Sequence, residues 1–409
     1  MVHAASAPWG LAGDLAHAIR GTLRKVSHAP KIALVVAALL AGCGSPPPVV
    51  APPAPVPAET ASHQIIGAKA EGTPKELFAR GQAALMAQHW EEARDVFDAL
   101  IGGEPDGPLA AQSMLGLGAA LEGLGDREKA RDTYRSLDRR FPNDPAAREA
   151  LTREASIDAH LEDWPALGDV GARILARKDA TDFERVLGHG ARGLSRIEAG
   201  DDTMASRDVQ DGLDIVERTG MGTAGRLPPP VAQLRFALGE IRRVRSERVS
   251  FQPVTPDFLI KIELRCQGLL DAQNAYADAI RSTDPHWAMM SGFRVGEMYR
   301  VLHKDLMSIP PTEQAKTEKD KQLFYAIMHV RYRAFVDKGI EMMRRTIELG
   351  EKTPESQAWL TRAKAAKKDM EDALALEKAE FAKFPFTEAE VERAIAIMKE
   401  NLAKKASAK

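Results

Sequence analysis

Two stretches of this chain carry the same four kinds of residue at the same intervals. Gly81, Ala93, Phe97 and Pro105 fall 12, 4 and 8 residues apart, and Gly118, Ala130, Tyr134 and Pro142 repeat those intervals 37 residues on. A period of this size is the signature of stacked supersecondary units, because each unit leaves an apolar face that only a neighbour can cover. The residue types suit a pair of antiparallel helices. Glycine in the first helix lets the second approach closely, alanine in the second returns the gap, the aromatic fills space toward the next unit, and proline stops the helix. Such arrays need about three units for stability. Two weaker units supply the rest. Asp163 to Arg177 continues the pattern with Ala155 in the small position and Leu167 where alanine belongs; a fourth unit runs through Gly193 and Ala205, turning at Ala199-Gly200-Asp201-Asp202. The array spans about residues 73–219.

The spacing resembles the tetratricopeptide repeat, and Leu117 before Gly118 fits that family too. The aromatic usual three residues after the glycine is missing, being Ala84 and Leu121 here. If the resemblance holds, Gly118 should accept Ala but not Leu, which would wedge the two helices apart. Helix starts point the same way without reference to any family. Thr73-Pro74-Lys75-Glu76 combines an N-cap, a first-turn proline and a capping-box glutamate. Asp144-Pro145, Thr255-Pro256, Asp284-Pro285 and Thr353-Pro354 repeat the cap-plus-proline device, and Thr387 with Glu390 forms another box. Period-two alternation is confined to Val249-Ser250-Phe251, so the chain reads as all-α. After a hinge-like break at Gly220 to Pro230, long helices are expected near 231–248, 256–282, 285–307, 313–350, 354–383 and 388–405. The fold class is therefore a helix-turn-helix solenoid followed by long C-terminal helices, with 231–409 a divergent continuation of the array. The stretch from Trp287 through Arg294, Gly296 and Tyr299 to Pro310 also resembles a segment of periplasmic repeat proteins of gliding bacteria.

The N-terminus reads as a targeting device. Ile32 to Ala41 is an unbroken apolar run behind Arg20, Arg24, Lys25 and Lys31. It is too short to cross a bilayer, which takes ~20 residues as a helix, but suits a secretory signal. It ends Leu40-Ala41-Gly42-Cys43, which resembles the bacterial lipobox. That resemblance implies cleavage of residues 1–42 and acylation of Cys43, a membrane anchor through more than one acyl chain. Residues 43–72 follow as a tether, with Pro46, Pro47, Pro48, Pro52, Pro53, Pro55 and Pro57 favouring extended polyproline II. Gly44 and Ser45 after the cysteine lack the aspartate tied to inner-membrane retention, so the implied location is the periplasmic face of the outer membrane. Of the two cysteines, Cys266 is then the sole remaining thiol, and its helical spacing with Ile262 and Leu270 places it in a core.

Chemistry is sparse. Fifty-six Lys+Arg against 58 Asp+Glu, net -2, exclude the basic excess of a nucleic-acid binder. Gly188-His189-Gly190-Ala191-Arg192-Gly193 is literally G-x-G-x-x-G, but a dinucleotide loop needs a strand before it, and the segment is expected to be helical. No two histidines stand at metal-ligand spacing along the chain, and His303 beside Lys304 and Asp305 reads as part of a solvated face. Glu371 and Asp372 among Lys364, Lys367 and Lys368 read as a surface ion-pair cluster. No catalytic residue, cofactor or metal is assigned. The expected function is a lipid-anchored interaction scaffold for an envelope protein or peptide segment, in outer-membrane assembly, envelope maintenance or a motility complex. The rival is a cell-wall-active enzyme, or its regulator, using the repeats as a positioning arm.

Carrying the repeat family's groove positions onto this sequence selects Lys75, Phe78, Gln82 and Met86 in the first unit and Gln112, Leu115 and Ala119 in the second. The family's carboxylate clamp uses lysine and asparagine at such places. Here Phe78 and Leu115 replace the lysine and Gln82 and Ala119 the asparagine, which favours an apolar or amphipathic segment as ligand.

Overall fold

The computed structural model describes residues 72–407, except 224, 256, 312, 314 and 354–356; the signal, Cys43 and the tether lie outside them. Fourteen helices are found among the described residues, which fall into two compact units divided inside one helix between Ala191 and Arg192.

The first unit contains α1 (Pro74–Met86), α2 (Trp90–Gly103), α3 (Ala110–Gly123), α4 (Arg127–Arg140), α5 (Pro145–His160), α6 (Trp164–Ala176) and the start of α7 (Asp182–Glu198). From α1 to α6 each helix packs on the next, and α1 also meets α3 as α3 meets α5, the contact pattern of a stacked array. The repeat residues do what their sizes demand. Phe97 is wholly buried, and a Cβ added at Gly81 or at Gly116 would lie 2.7 or 2.5 Å from its ring. One aromatic from α2 is thus seated on two glycine backbones, on α1 and α3. Tyr134 of α4 occupies the next level against Gly118, where a new Cβ would stand 2.5 Å from Cζ. That overturns the expected tolerance of Gly118 for alanine. The ring lies directly on the Cα, so a single methyl already overlaps it.

Two further features recur with the repeat. The turn from the first helix to the second of each unit passes through a left-handed residue, namely Gln88, Gly125, Glu162 and Gly200. In the last three units an aspartate follows and caps the next helix: Asp126 accepts from Lys129 N at 3.3 Å, Asp163 from Ala166 N at 3.2 Å, and Asp201 from Met204 N at 3.0 Å. In the second and third units an arginine near the end reaches back one unit. Arg140 Nη2 donates to Pro105 O at 2.6 Å and Arg177 Nη1 to Pro142 O at 2.8 Å. The closing prolines therefore both stop a helix and offer an acceptor to the next unit.

The second unit holds the end of α7, then α8 (Asp202–Thr219), α9 (Pro229–Glu247), α10 (Phe258–Ala279), α11 (Pro285–Met307), α12 (Glu318–Gly350), α13 (Gln357–Phe381) and α14 (Glu388–Ser407). The small-against-large device persists. A Cβ at Gly239 would meet Tyr276 at 2.6 Å, one at Gly296 would meet Met343 at 2.7 Å, and one at Gly339 would meet Met370 at 2.9 Å. The hinge-like break is tied down by Leu227, which donates to Arg281 O and accepts from Thr283 N.

Caps agree with the sequence in most places. Thr73 and Glu76 form their box, as do Thr387 and Glu390; Asp144 and Asp284 cap α5 and α11. Thr255 does not cap α10: its N-cap is Asp257, with the Thr255 hydroxyl bonded to the Asp257 carboxylate instead. Boxes at Thr181 with Glu184 and Thr317 with Asp320 went unread in the sequence. The G-x-G-x-x-G segment lies inside α7, where Gly188 faces Leu175 and Gly193 faces Val209. No phosphate loop exists there. Cys266 is buried, and burial pushes its thiol up to about 12, which makes it inert.

Candidate interaction surface

The seven positions selected on the first helices of units one and two divide by exposure. Lys75, Gln82, Met86 and Gln112 are exposed, Met86 at 86%. Phe78, Leu115 and Ala119 are half-buried. Phe78 meets Phe97 edge-on with centroids 6.0 Å apart and packs beside Leu77, Val96 and Leu100. Leu115 leans on the cluster around Ala111, Met114 and Tyr134. The exposed four are left at the surface, while Phe78 and Leu115 help to hold the repeat together.

Helix α3 has a second free side. At 100° per residue, Gly116 and Ala120 point toward α2, and Gly118 toward α4. Two strips remain between those packed sides. One carries Gln112, Leu115 and Ala119. The opposite one carries Met114, Leu117 and Leu121 and continues to Leu124, forming the floor of a groove of about 620 Å³ between α2 and α4. Ile101 of α2 adds to the floor, and Glu91, Arg94, Asp98, Asp126, Lys129 and Asp132 stand along the rim. The sequence reading missed this strip, because family positions drew attention to the other one. The signal was present as Met114, Leu117, Leu121 and Leu124 at helical spacing, on a side that the neighbouring helices cover only at Met114 and Leu121.

Charge inside the first unit is concentrated on α5. Glu154 and Asp158 are fully buried there between two sets of arginines. Glu154 Oε1 lies 2.9 Å from Arg135 Nε of α4 and 2.5 Å from Arg173 Nη2 of α6. Asp158 is served less well. Arg131 and Arg135 approach to only 3.7 and 3.8 Å, and neither carboxylate oxygen has a hydrogen-bond partner. Burial, reinforced by the negative charge of Glu154, raises the Asp158 carboxyl to about 7.

In the second unit Glu240 is the corresponding buried acid. Tyr276 Oη donates to it at 2.5 Å, Arg243 binds at 2.6 Å and Arg294 at 3.0 Å. Burial opposes its ionisation, yet Arg294 and Arg243 together hold its carboxyl below the ordinary value. His303 corrects the sequence reading, for it is 6% exposed and not solvated. Its Nε2 and the Nδ1 of His329 each lie 3.4 Å from Glu377 Oε2, joining α11, α12 and α13. Burial again opposes, but the two imidazoles hold the Glu377 carboxyl down to about 2. Three helices far apart in sequence supply this cluster, so linear spacing could not reveal it. The Lys367–Glu371 and Lys368–Asp372 pairs are a surface cluster, as expected.

Comparison with known proteins agrees with the repeat geometry. Residues 78–145 match the family model of the tetratricopeptide repeat. Among solved structures, a tetratricopeptide repeat protein from Parabacteroides merdae ATCC 43184 is similar at 12% identity over 71% of this chain and 98% of that one, with a TM-score of 0.40. No curated protein matches. The matched residues are α1 from Phe78, α2, α3, α4 and the turn into α5. Repeats of this kind generally mediate protein–protein contacts.

Proposed function

We propose that this protein is a lipid-anchored scaffold on the periplasmic face of the outer membrane, holding another envelope protein or a peptide segment of it. One observation carries the reading. Within the first two repeats, the second-helix residues Phe97, Tyr134 and Leu137 are wholly buried, while the first-helix residues Lys75, Gln82, Met86 and Gln112 stay at the surface. Packing does not require those four, and Met86 in particular is an apolar side chain left in water. The ordered run of Lys31, Ile32 to Ala41 and Cys43 supports the anchor, and the prolines behind it support a spacer between bilayer and repeats. Outer-membrane assembly, envelope maintenance and a motility complex are the processes that would use such a part.

Two measurements test this. Metabolic labelling with an alkyne palmitate should mark the wild type and leave Cys43→Ala unmarked; equal labelling of both removes the anchor. A photo-crosslinking residue at Gln82 in living cells should capture one reproducible envelope protein. Capture of nothing beyond background at Gln82, Met86 and Gln112 alike removes the scaffold role assigned to this face.

A further inference from the structure

The groove between α2 and α4 has a composition that selects its occupant. Its floor is an apolar strip, with Met114 and Leu121 buried and Ile101, Leu117 and Leu124 half-buried. From Met114 to Leu124 the strip runs ten residues along α3, or about 15 Å, the length of three helical turns. Its walls are helices, and it offers no strand edge to which an extended chain could bond. A row of side chains at i, i+3, i+7 and i+10 is instead the ridge that packs against another helix.

The rim is acidic. Both basic side chains that line the groove are neutralised within this chain, Lys129 Nζ by Asp126 at 2.7 Å and Arg94 by Asp95 at 2.8 Å. Glu91 and Asp98 on the α2 wall form no ion pair among the described residues, and Asp132 on the α4 wall has only Arg131 at 3.8 Å. Carboxylates therefore stand on both sides of an apolar floor, without an ion pair at Glu91 and Asp98 on the α2 wall and with only a long one at Asp132 on the α4 wall. A ligand with acidic flanks would be repelled, and an uncharged one would leave those carboxylates uncompensated.

We propose that this groove is a second docking site, which takes an amphipathic helix of a partner protein with its apolar face on Leu117 and its flanking lysines or arginines between Asp98 and Asp132. The proposal rests on the scaffold reading but uses the face of α3 opposite to Gln112, Leu115 and Ala119. One scaffold could then hold two segments at once. Binding energy would come from the apolar strip, while the carboxylates would set orientation and make association sensitive to salt.

The probes are two synthetic fluorescein-labelled helices of equal length, one of leucine and lysine and one of leucine and glutamate, titrated into the full chain by anisotropy. The leucine–lysine helix should bind, the leucine–glutamate helix should not, and binding should weaken as ionic strength rises. Asp98→Lys/Asp132→Lys should weaken it by about tenfold or more, as for charge reversal at a docking rim. Asp369→Lys/Asp372→Lys makes the same change in net charge on an exposed stretch of α13 and should leave it unaffected. Circular dichroism of both double variants checks the fold. Equal binding of the two peptides, equal weakening by the two double variants, or no binding at all overturns the proposal. In cells, a crosslinker at Asp98 distinguishes this proposal from the scaffold reading itself. A partner captured at Gln82 and never at Asp98 leaves the scaffold standing and removes the groove. Silence at both positions, with the leucine–lysine helix also unbound, removes both.

Discussion

Replacing Gly118 by alanine isolates the close approach on which the repeat depends. The new methyl would stand 2.5 Å from Tyr134 Cζ, whereas carbon atoms rest at about 3.5–4.0 Å, so the ring or the helix must retreat by about 1 Å. Tyr134 has nowhere to go. Its ring is wholly buried against Ala111, Met114 and Leu137, and its hydroxyl is held by Glu122. Overpacking of this kind costs ~1–3 kcal/mol, and straining the hydroxyl bond to a carboxylate adds ~1.5 kcal/mol. Against this, alanine gains about 1 kcal/mol over glycine in helix propensity. The net expectation is a loss of about 2 kcal/mol. Gly102→Ala is the control, because nothing lies within 4 Å of its added Cβ and only the propensity gain remains. Urea titrations followed by circular dichroism should therefore move the two midpoints in opposite directions at an unchanged slope. A Gly118→Ala protein as stable as Gly102→Ala would show that Tyr134 is not seated on the glycine. Adding Tyr134→Leu to Gly118→Ala should recover part of the loss, which a double-mutant cycle reads directly.

Asp158→Asn should stabilise the first unit in a pH-dependent way. The folded carboxyl is raised to about 7 from 3.8, so the stability linked to its proton is complete below 3.8 and lost as pH rises through about 7. The variant's advantage should accordingly grow over that window toward about 4 kcal/mol, read from melts across pH; a flat difference would refute the burial argument. Glu377→Gln removes the carboxylate charge that His303 and His329 both face and should cost ~2–4 kcal/mol near neutrality. Here the folded carboxyl is depressed to about 2 from 4.5, so the wild type's advantage is present above 4.5 and vanishes as pH falls through about 2. Gln88→Gly relieves a left-handed backbone, with φ at 59°, and should raise the melting temperature through a gain of about 0.5–1 kcal/mol. A lowered melting temperature there would mean that the Gln88 side chain contributes more than the strain it causes.

The periodic residues of this chain determined the fold class and the helix pairs of the first two repeats, because a recurring Gly, Ala, aromatic and Pro is satisfied by antiparallel helices in close stack. Local chemistry also placed the caps at Thr73, Asp144, Asp284 and Thr387, since a cap is settled within four residues. Where a side chain meets residues far away in the chain, sequence alone was silent. His303 reads as solvated beside Lys304 and Asp305, yet α12 and α13 bring His329 and Glu377 over it. Gly118 reads as a small residue, but only the position of the Tyr134 ring shows that even one methyl is too many. The strip Met114, Leu117, Leu121 and Leu124 is visible as apolar periodicity, but only the packing of α2 and α4 decides that Met114 and Leu121 are buried while Leu117 and Leu124 stay half-exposed along a groove. Helix formation depends on neighbours three or four residues away, whereas burial, charge compensation and open surface depend on which helices pack together.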